Sequence, residues 1–179
     1  VGSFKAGSFD FVLIAAHIRW GKNAGERKAP LKLLARWLKK RQDDPDTVDE
    51  DIILMGDFNI PTVGDELYKA ITSQGLKMPA GLVGEHGSNL AKNKRYDQIL
   101  HAPKETKAFT GRGGVVDFFG SNAGIKDLYV TNTPTKRKFT YEMSDHLPLW
   151  VEVSTDILDE KLDQIIAEMK TGKYDIGFV

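Results

Sequence analysis

No cysteine occurs in the 179 residues, which removes disulfides, thiolate zinc sites and a cysteine nucleophile at once. That absence leaves the compartment open. Net charge is missing too, because 25 Lys and Arg balance 25 Asp and Glu. The chain as a whole therefore exerts no field on a polyanion, and any basic surface must be a local patch. No apolar run reaches the ~18 residues of a membrane-spanning helix, and there is neither an internal repeat nor a low-complexity tract. No signal peptide is visible, although Val1 onward reads like the middle of a domain. What is present is ordinary for a globular chain: 41% hydrophobic and 28% charged residues. The length suits one domain with a real core.

The most informative stretch is Ile52-Ile53-Leu54-Met55-Gly56-Asp57-Phe58-Asn59-Ile60-Pro61. Four apolar residues between an acidic loop and a glycine predict a strand buried on both faces, which Gly56 ends. Asp57 and Asn59, two apart, point the same way if the chain stays extended. A carboxylate and a carboxamide there can hold a cation, a water or a phosphate, or can simply form an Asx turn. Phe11 to Ile18 reads as a second buried strand, with His17 at its end. A structural histidine is the plain reading of His17 taken alone. Arg19-Trp20-Gly21-Lys22-Asn23 follows as a loop suited to a base, to phosphate or only to solvent.

Between these strands the period turns helical from Pro30 to Arg41. Leu31, Leu34 and Leu38 form the stripe, Leu33 and Trp37 widen it, and Pro30 is placed in the first turn. Lys39, Lys40 and Arg41 complement the dipole at the end. Strand, helix, strand makes the two strands parallel neighbours, so His17 and Asp57 emerge at one sheet edge. Val1 to Phe9 reads as a turn, Gly64 to Gln74 as a short helix and Met78 to Asn93 as a long loop with His86 on its surface. Tyr96 to Leu100 reads as a strand, in which Asp97 costs several kcal/mol unless paired. Phe109 to Phe119 suggests a turn and a short strand, Ile125 to Val130 a strand, and Thr133 to Met143 a polar, basic segment. Leu147 to Val153 closes the sheet after Ser144-Asp145-His146, and Asp156 to Met169 has the clearest helical stripe.

His17 in Ala15-Ala16-His17-Ile18-Arg19-Trp20-Gly21, then Gly56-Asp57-Phe58-Asn59, Tyr96-Asp97-Gln98-Ile99-Leu100 and Ser144-Asp145-His146-Leu147-Pro148 follow one another in this order. In this the chain resembles the endonuclease/exonuclease/phosphatase superfamily, which includes deoxyribonuclease I. The resemblance runs from about Phe9 to Val153. It implies an α/β fold, part of a two-sheet α/β sandwich, and metal-assisted phosphoester hydrolysis with Mg²⁺, Mn²⁺ being an alternative. It implies that Asp57 activates or orients the attacking water and that Asn59 binds phosphate. His146 would contact the scissile phosphate and do acid–base work, with Asp97 holding its ring. Asp145 would stand at the metal site with Asp57 and Asn59, and His17 would bind phosphate from the other side. Arg19 and Trp20 would flank the substrate.

The family's glutamate metal ligand belongs to a preceding half, so residues 1–153 are expected to be the C-terminal portion of such a domain and 154–179 a helical extension. A tryptophan before the Gly-Asp motif and a Pro-Ala-Trp-Cys-Asp-Arg element mark the inositol polyphosphate 5-phosphatase branch. Here those stretches read Ile53-Leu54-Met55-Gly56-Asp57 and Lys94-Arg95-Tyr96-Asp97-Gln98, which disfavours that branch. The expected function is that of a nuclease with nucleic acid as substrate in the full-length parent, while the fragment, lacking the glutamate, is open to being inactive. The alternatives are a phospholipid or small-molecule phosphodiesterase or phosphatase, and a non-catalytic binding module. Strands apolar on both faces need cover, which predicts self-association or pairing with the missing N-terminal half.

Overall fold

Alternation along the Ile52 strand decides the layering. Ile52 and Leu54 pack with Val12, Ile14, Leu31, Leu38 and Leu100 on one side, while Ile53 packs with Phe9, Leu82, Ile99 and Ala108 on the other. The computed structural model describes residues 1–47, 51–102, 106–118, 135–156 and 166–170. Its elements are β1 (Gly2–Ala6), β2 (Phe9–Ala15), α1 (Ala24–Gln42), β3 (Ile52–Asp57), α2 (Glu66–Ile71), β4 (Asp97–His101), β5 (Phe109–Val115), α3 (Lys136–Glu142) and β6 (Leu149–Val153), with a 3₁₀ turn at Ala80–Leu82. One sheet runs β1-β2-β3-β4, and β5 and β6 form a second. The helices α1 and α2 cover one face of the larger sheet, and the smaller sheet packs on the other. This is an α/β arrangement with two sheets.

β2 and β3 are parallel, as the intervening helix requires, and β3 and β4 are antiparallel. An antiparallel partner brings its start to the edge where β3 ends, so Asp97 falls directly opposite Asp57 in the register. β3 runs through Gly56 and ends at Asp57, one residue beyond the expected glycine stop. Gly56 adopts φ 139, and a Cβ there would lie 2.0 Å from the Ala16 carbonyl oxygen. The glycine thus lets the ends of β2 and β3 close up.

Several expectations are corrected. The first residues form an edge strand, β1, whose glycines and mixed polarity hide it; only Gly7 and Ser8 make the turn. α1 begins at Ala24, because the Asn23 side chain accepts from the Glu26 N–H (3.2 Å) and caps it. Pro30 therefore sits inside the helix and forgoes one backbone bond. The buried stripe is Leu31, Ala35 and Leu38, joined by Arg27. That rotation leaves Leu33 63% and Trp37 46% exposed, so neither widens the core. The basic segment after Thr133 contains α3, capped by Thr135 and anchored by buried Phe139. The strand expected over residues 125–130 lies outside the described residues, as do residues 157–165 of the last helix; residues 166–170 are helical.

Candidate active site

The edge where β2 and β3 end and β4 starts collects the polar residues. Beyond β2 the chain stays in register: the Ala16 N–H donates to the Met55 carbonyl and the Ile18 N–H to the Asp57 carbonyl. His17 lies between them, 74% exposed at its side chain, with Nε2 3.4 Å from Asp57 Oδ2. Asn59 is not extended after Asp57. It takes φ 52, and its N–H donates to Asp57 Oδ1 at 2.8 Å. The Asx turn and the polar site are thus the same structure. Asn59 is buried, and its side-chain NH₂ donates to the Ile18 carbonyl at 2.7 Å.

Asp97 is paired, as its burial demands. Its Oδ2 is 2.7 Å from His146 Nδ1 and accepts the Ser88 hydroxyl at 2.6 Å. A carboxylate oxygen accepts only, so Nδ1 carries a proton in this contact. Ser88 in turn accepts the Asp97 N–H at 3.1 Å, gripping that residue at two points. His146 is held by its own neighbours: its N–H donates to Ser144 Oγ, and the Leu147 N–H donates to the Ser88 carbonyl at 2.6 Å.

Burial raises the Asp97 carboxyl above its ordinary range, and the Ser88 hydroxyl and His146 partly offset that rise. Burial pulls the His146 imidazole down, but the nearby carboxylates of Asp97, Asp57 and Asp145 together outweigh it and leave its pKa raised. Proximity to three acidic groups thus favours imidazolium. Asp57, Asp97 and His146 each offer a ligand atom, all within 4.8 Å of one another. Asp145 is exposed and is not in that trio; it acts on His146 by charge, and its carbonyl accepts from Leu90.

Arg19 and Trp20 are exposed in the following loop. The Trp20 and Tyr96 rings stand at right angles with centroids 5.6 Å apart, and the Tyr96 ring lies 5.8 Å from that of His146. Ser88 and Tyr96 are the participants that sequence reasoning missed. Tyr96 stands beside Asp97 and was readable as a neighbour, whereas nothing local distinguishes Ser88 from other loop serines.

A cavity of about 310 Å³ opens at this edge, with Asp97 and His146 in its wall beside Met55, Phe118 and Leu149. A larger cavity, about 750 Å³, lies elsewhere, among Tyr68, Met78, Leu82 and Arg95, and holds none of the trio. Chemistry follows the convergent donors, so the smaller cavity is the candidate site.

No protein-family profile and no curated protein sequence matches the chain. Solved structures do. A mannosyl-6-phosphatase from Bacteroides thetaiotaomicron VPI-5482 is 23% identical with a TM-score of 0.52, over 82% of this chain and 52% of that one. An endonuclease/exonuclease/phosphatase family protein from Bacteroides thetaiotaomicron is 22% identical with a TM-score of 0.50, over 80% and 48%. A beta toxin from Staphylococcus aureus is 18% identical with a TM-score of 0.51, over 85% and 55%. The fold is therefore that of the deoxyribonuclease I-like sandwich, and the chain spans about half the length of these structures.

Proposed function

We propose that this chain, built on a deoxyribonuclease I-like fold, carries phosphoester-hydrolysing machinery, with a nuclease acting on DNA or RNA as the leading reading. The observation that supports it best is the Ser88–Asp97–His146 hydrogen-bonded series standing beside Asp57 and Asn59 at one sheet edge. Asp57 orients and activates the attacking water, and the Asx turn keeps Asn59 next to it to bind phosphate. His146, its pKa raised by the neighbouring carboxylates and its ring turned by Asp97, faces the phosphate and passes a proton to or from the reacting oxygens. Asp97 orients that ring and keeps its proton on Nδ1. His17 binds the phosphate from the exposed side, and Arg19 and Trp20 flank the substrate.

The donor set fits a hard divalent cation. Asp97 Oδ2 is already taken by Ser88 and His146, while among the described residues Asp57 Oδ2 meets the exposed His17 at 3.4 Å. Asp57 would thus hold Mg²⁺ or Mn²⁺, with Asn59 and Asp145 as nearby oxygen donors, to neutralise charge on the non-bridging phosphate oxygens. Residues 1–153 carry the site in this reading, and 154–179 extend it.

A small-molecule or phospholipid phosphoesterase is the second reading, favoured by the structural match to a mannosyl-6-phosphatase. A purely binding module is disfavoured, because it has no use for an oriented Asp–His pair. Plasmid nicking assayed beside phosphate release from sugar phosphates and phospholipids separates the readings. Nicking that requires Mg²⁺ or Mn²⁺, stops with a chelator and falls by roughly three orders of magnitude in His146→Ala supports the nuclease. Nicking indifferent to His146→Ala would refute the assignment.

A further inference from the structure

The row of rings leading away from His146 is not needed for bond cleavage, yet it is firmly built. Trp20 is 50% exposed. Its position is not left to chance. The buried Arg27 guanidinium lies 4.4 Å from the ring centroid and covers one face. Arg27 Nη1 also donates to the Trp20 carbonyl at 2.5 Å, so one side chain fixes both ring and backbone. The indole meets the Tyr96 ring at an interplanar angle of 87°, and Tyr96 is tilted 33° from the His146 imidazole. Arg27, Trp20, Tyr96 and His146 form a continuous series, with the half-exposed indole two ring contacts from the candidate site. Arg19 and Lys22, both exposed, stand on the same loop.

We infer that Trp20 and Tyr96 form a stacking wall for a nucleobase adjoining the phosphate held at His146, with Arg27 as the positioning residue behind it. This deepens the nuclease reading and rests on the part of it that puts a nucleotide phosphate, cleaved or only bound, at His146. A half-exposed indole with its rear face blocked offers a flat apolar surface to a flat ring. Two loop cations beside it suit the phosphates on either side of a base. That alternation of flat ring and anion is the chemistry of a single strand of nucleic acid, in which bases are free to stack on aromatic side chains. The chain's zero net charge makes a local recognition device of this kind necessary, since long-range attraction is lacking.

The test uses the full chain with Trp37→Phe and Trp150→Phe, which leaves Trp20 as the one tryptophan reporter. The probes are a thymidine pentanucleotide, an abasic pentanucleotide with the same phosphates, and mannose 6-phosphate. Quenching of Trp20 fluorescence by the thymidine strand, with about tenfold weaker binding of the abasic strand, is the expected result. By fluorescence anisotropy of labelled strands, Trp20→Ala and Tyr96→Ala should each shrink that ratio, and Trp20→Phe should retain most of it. Equal binding of both strands, or quenching by mannose 6-phosphate instead of the thymidine strand, overturns the wall as a base site. Binding is read apart from turnover, so a chain that stacks bases but cleaves nothing would refute the nuclease reading and leave this inference standing.

Discussion

At the scale of single residues the decisive contest is at His146. Burial alone would favour neutral imidazole, and only the surrounding carboxylates reverse that. The His146 titration followed by NMR is therefore expected to lie above the ordinary histidine value of about 6.5. Asp97→Asn removes the largest of the opposing charges and should bring the midpoint down. A midpoint unmoved by Asp97→Asn would show that the 2.7 Å contact does not govern the ring. Asp97 was legible as an anomaly, since a carboxylate in an apolar strand needs a partner. Ser88, fully buried in the loop between α2 and β4, left no comparable signal.

At the scale of elements, two joints carry the arrangement. The first is Gly56, where β2 and β3 approach so closely that no side chain fits. Gly56→Ala combines a positive φ with a Cβ 2.0 Å from the Ala16 oxygen. It is expected to lower stability by roughly 2–4 kcal/mol in urea melts, whereas a loss below about 0.5 kcal/mol would mean that the strands separate easily. The second joint is the end of β4, where His101 is buried with its ring 4.3 Å from that of Phe109. Burial lowers its pKa below the ordinary value.

A histidine depressed in the folded state binds more protons when unfolded. Its stabilising contribution is therefore present above the ordinary value and is lost as pH falls through the depressed one. His146 has the opposite sign, contributing fully below the ordinary value and losing that as pH rises through its raised one. Urea midpoints measured from pH 7.5 down to pH 5 should accordingly fall less in His101→Gln than in the unmodified chain. Parallel slopes for the two proteins would remove His101 as the cause.

At the scale of the whole molecule, the helical face of the large sheet is thoroughly covered and the other face less so. Among the described residues the β5–β6 sheet has two strands, a size that is marginal without further packing. Around it Met55, Phe118 and Trp150 remain substantially exposed. Such a surface favours association, so light scattering of the isolated chain should give a mass above 19.9 kDa. A stable monomer at that mass would mean that the sheets and helices of the chain satisfy their apolar faces unaided.

Much of the local structure follows from local rules. Ile52 to Leu54 had to be a buried strand, the Asp57–Asn59 pair had to make a turn or a site, and the intervening helix made β2 and β3 parallel. Gly-Asp-Phe-Asn and Ser-Asp-His, in that order, pointed to the fold that the structural matches share. Other features depended on distant partners. Which face of α1 is buried was decided by the packing of Leu31, Ala35 and Leu38 against the residues of β2 and β3, so Leu33 and Trp37 ended outside. β1 exists because β2 offers it an edge, not because its own residues demand a strand. The Asp57–Asp97 register and the Ser88 grip arise from pairing across 40 and 9 residues of sequence respectively. Periodicity reports which way a side chain points within its own element. The distance between two such side chains is set by how the elements pack, and that is a property of the folded chain alone.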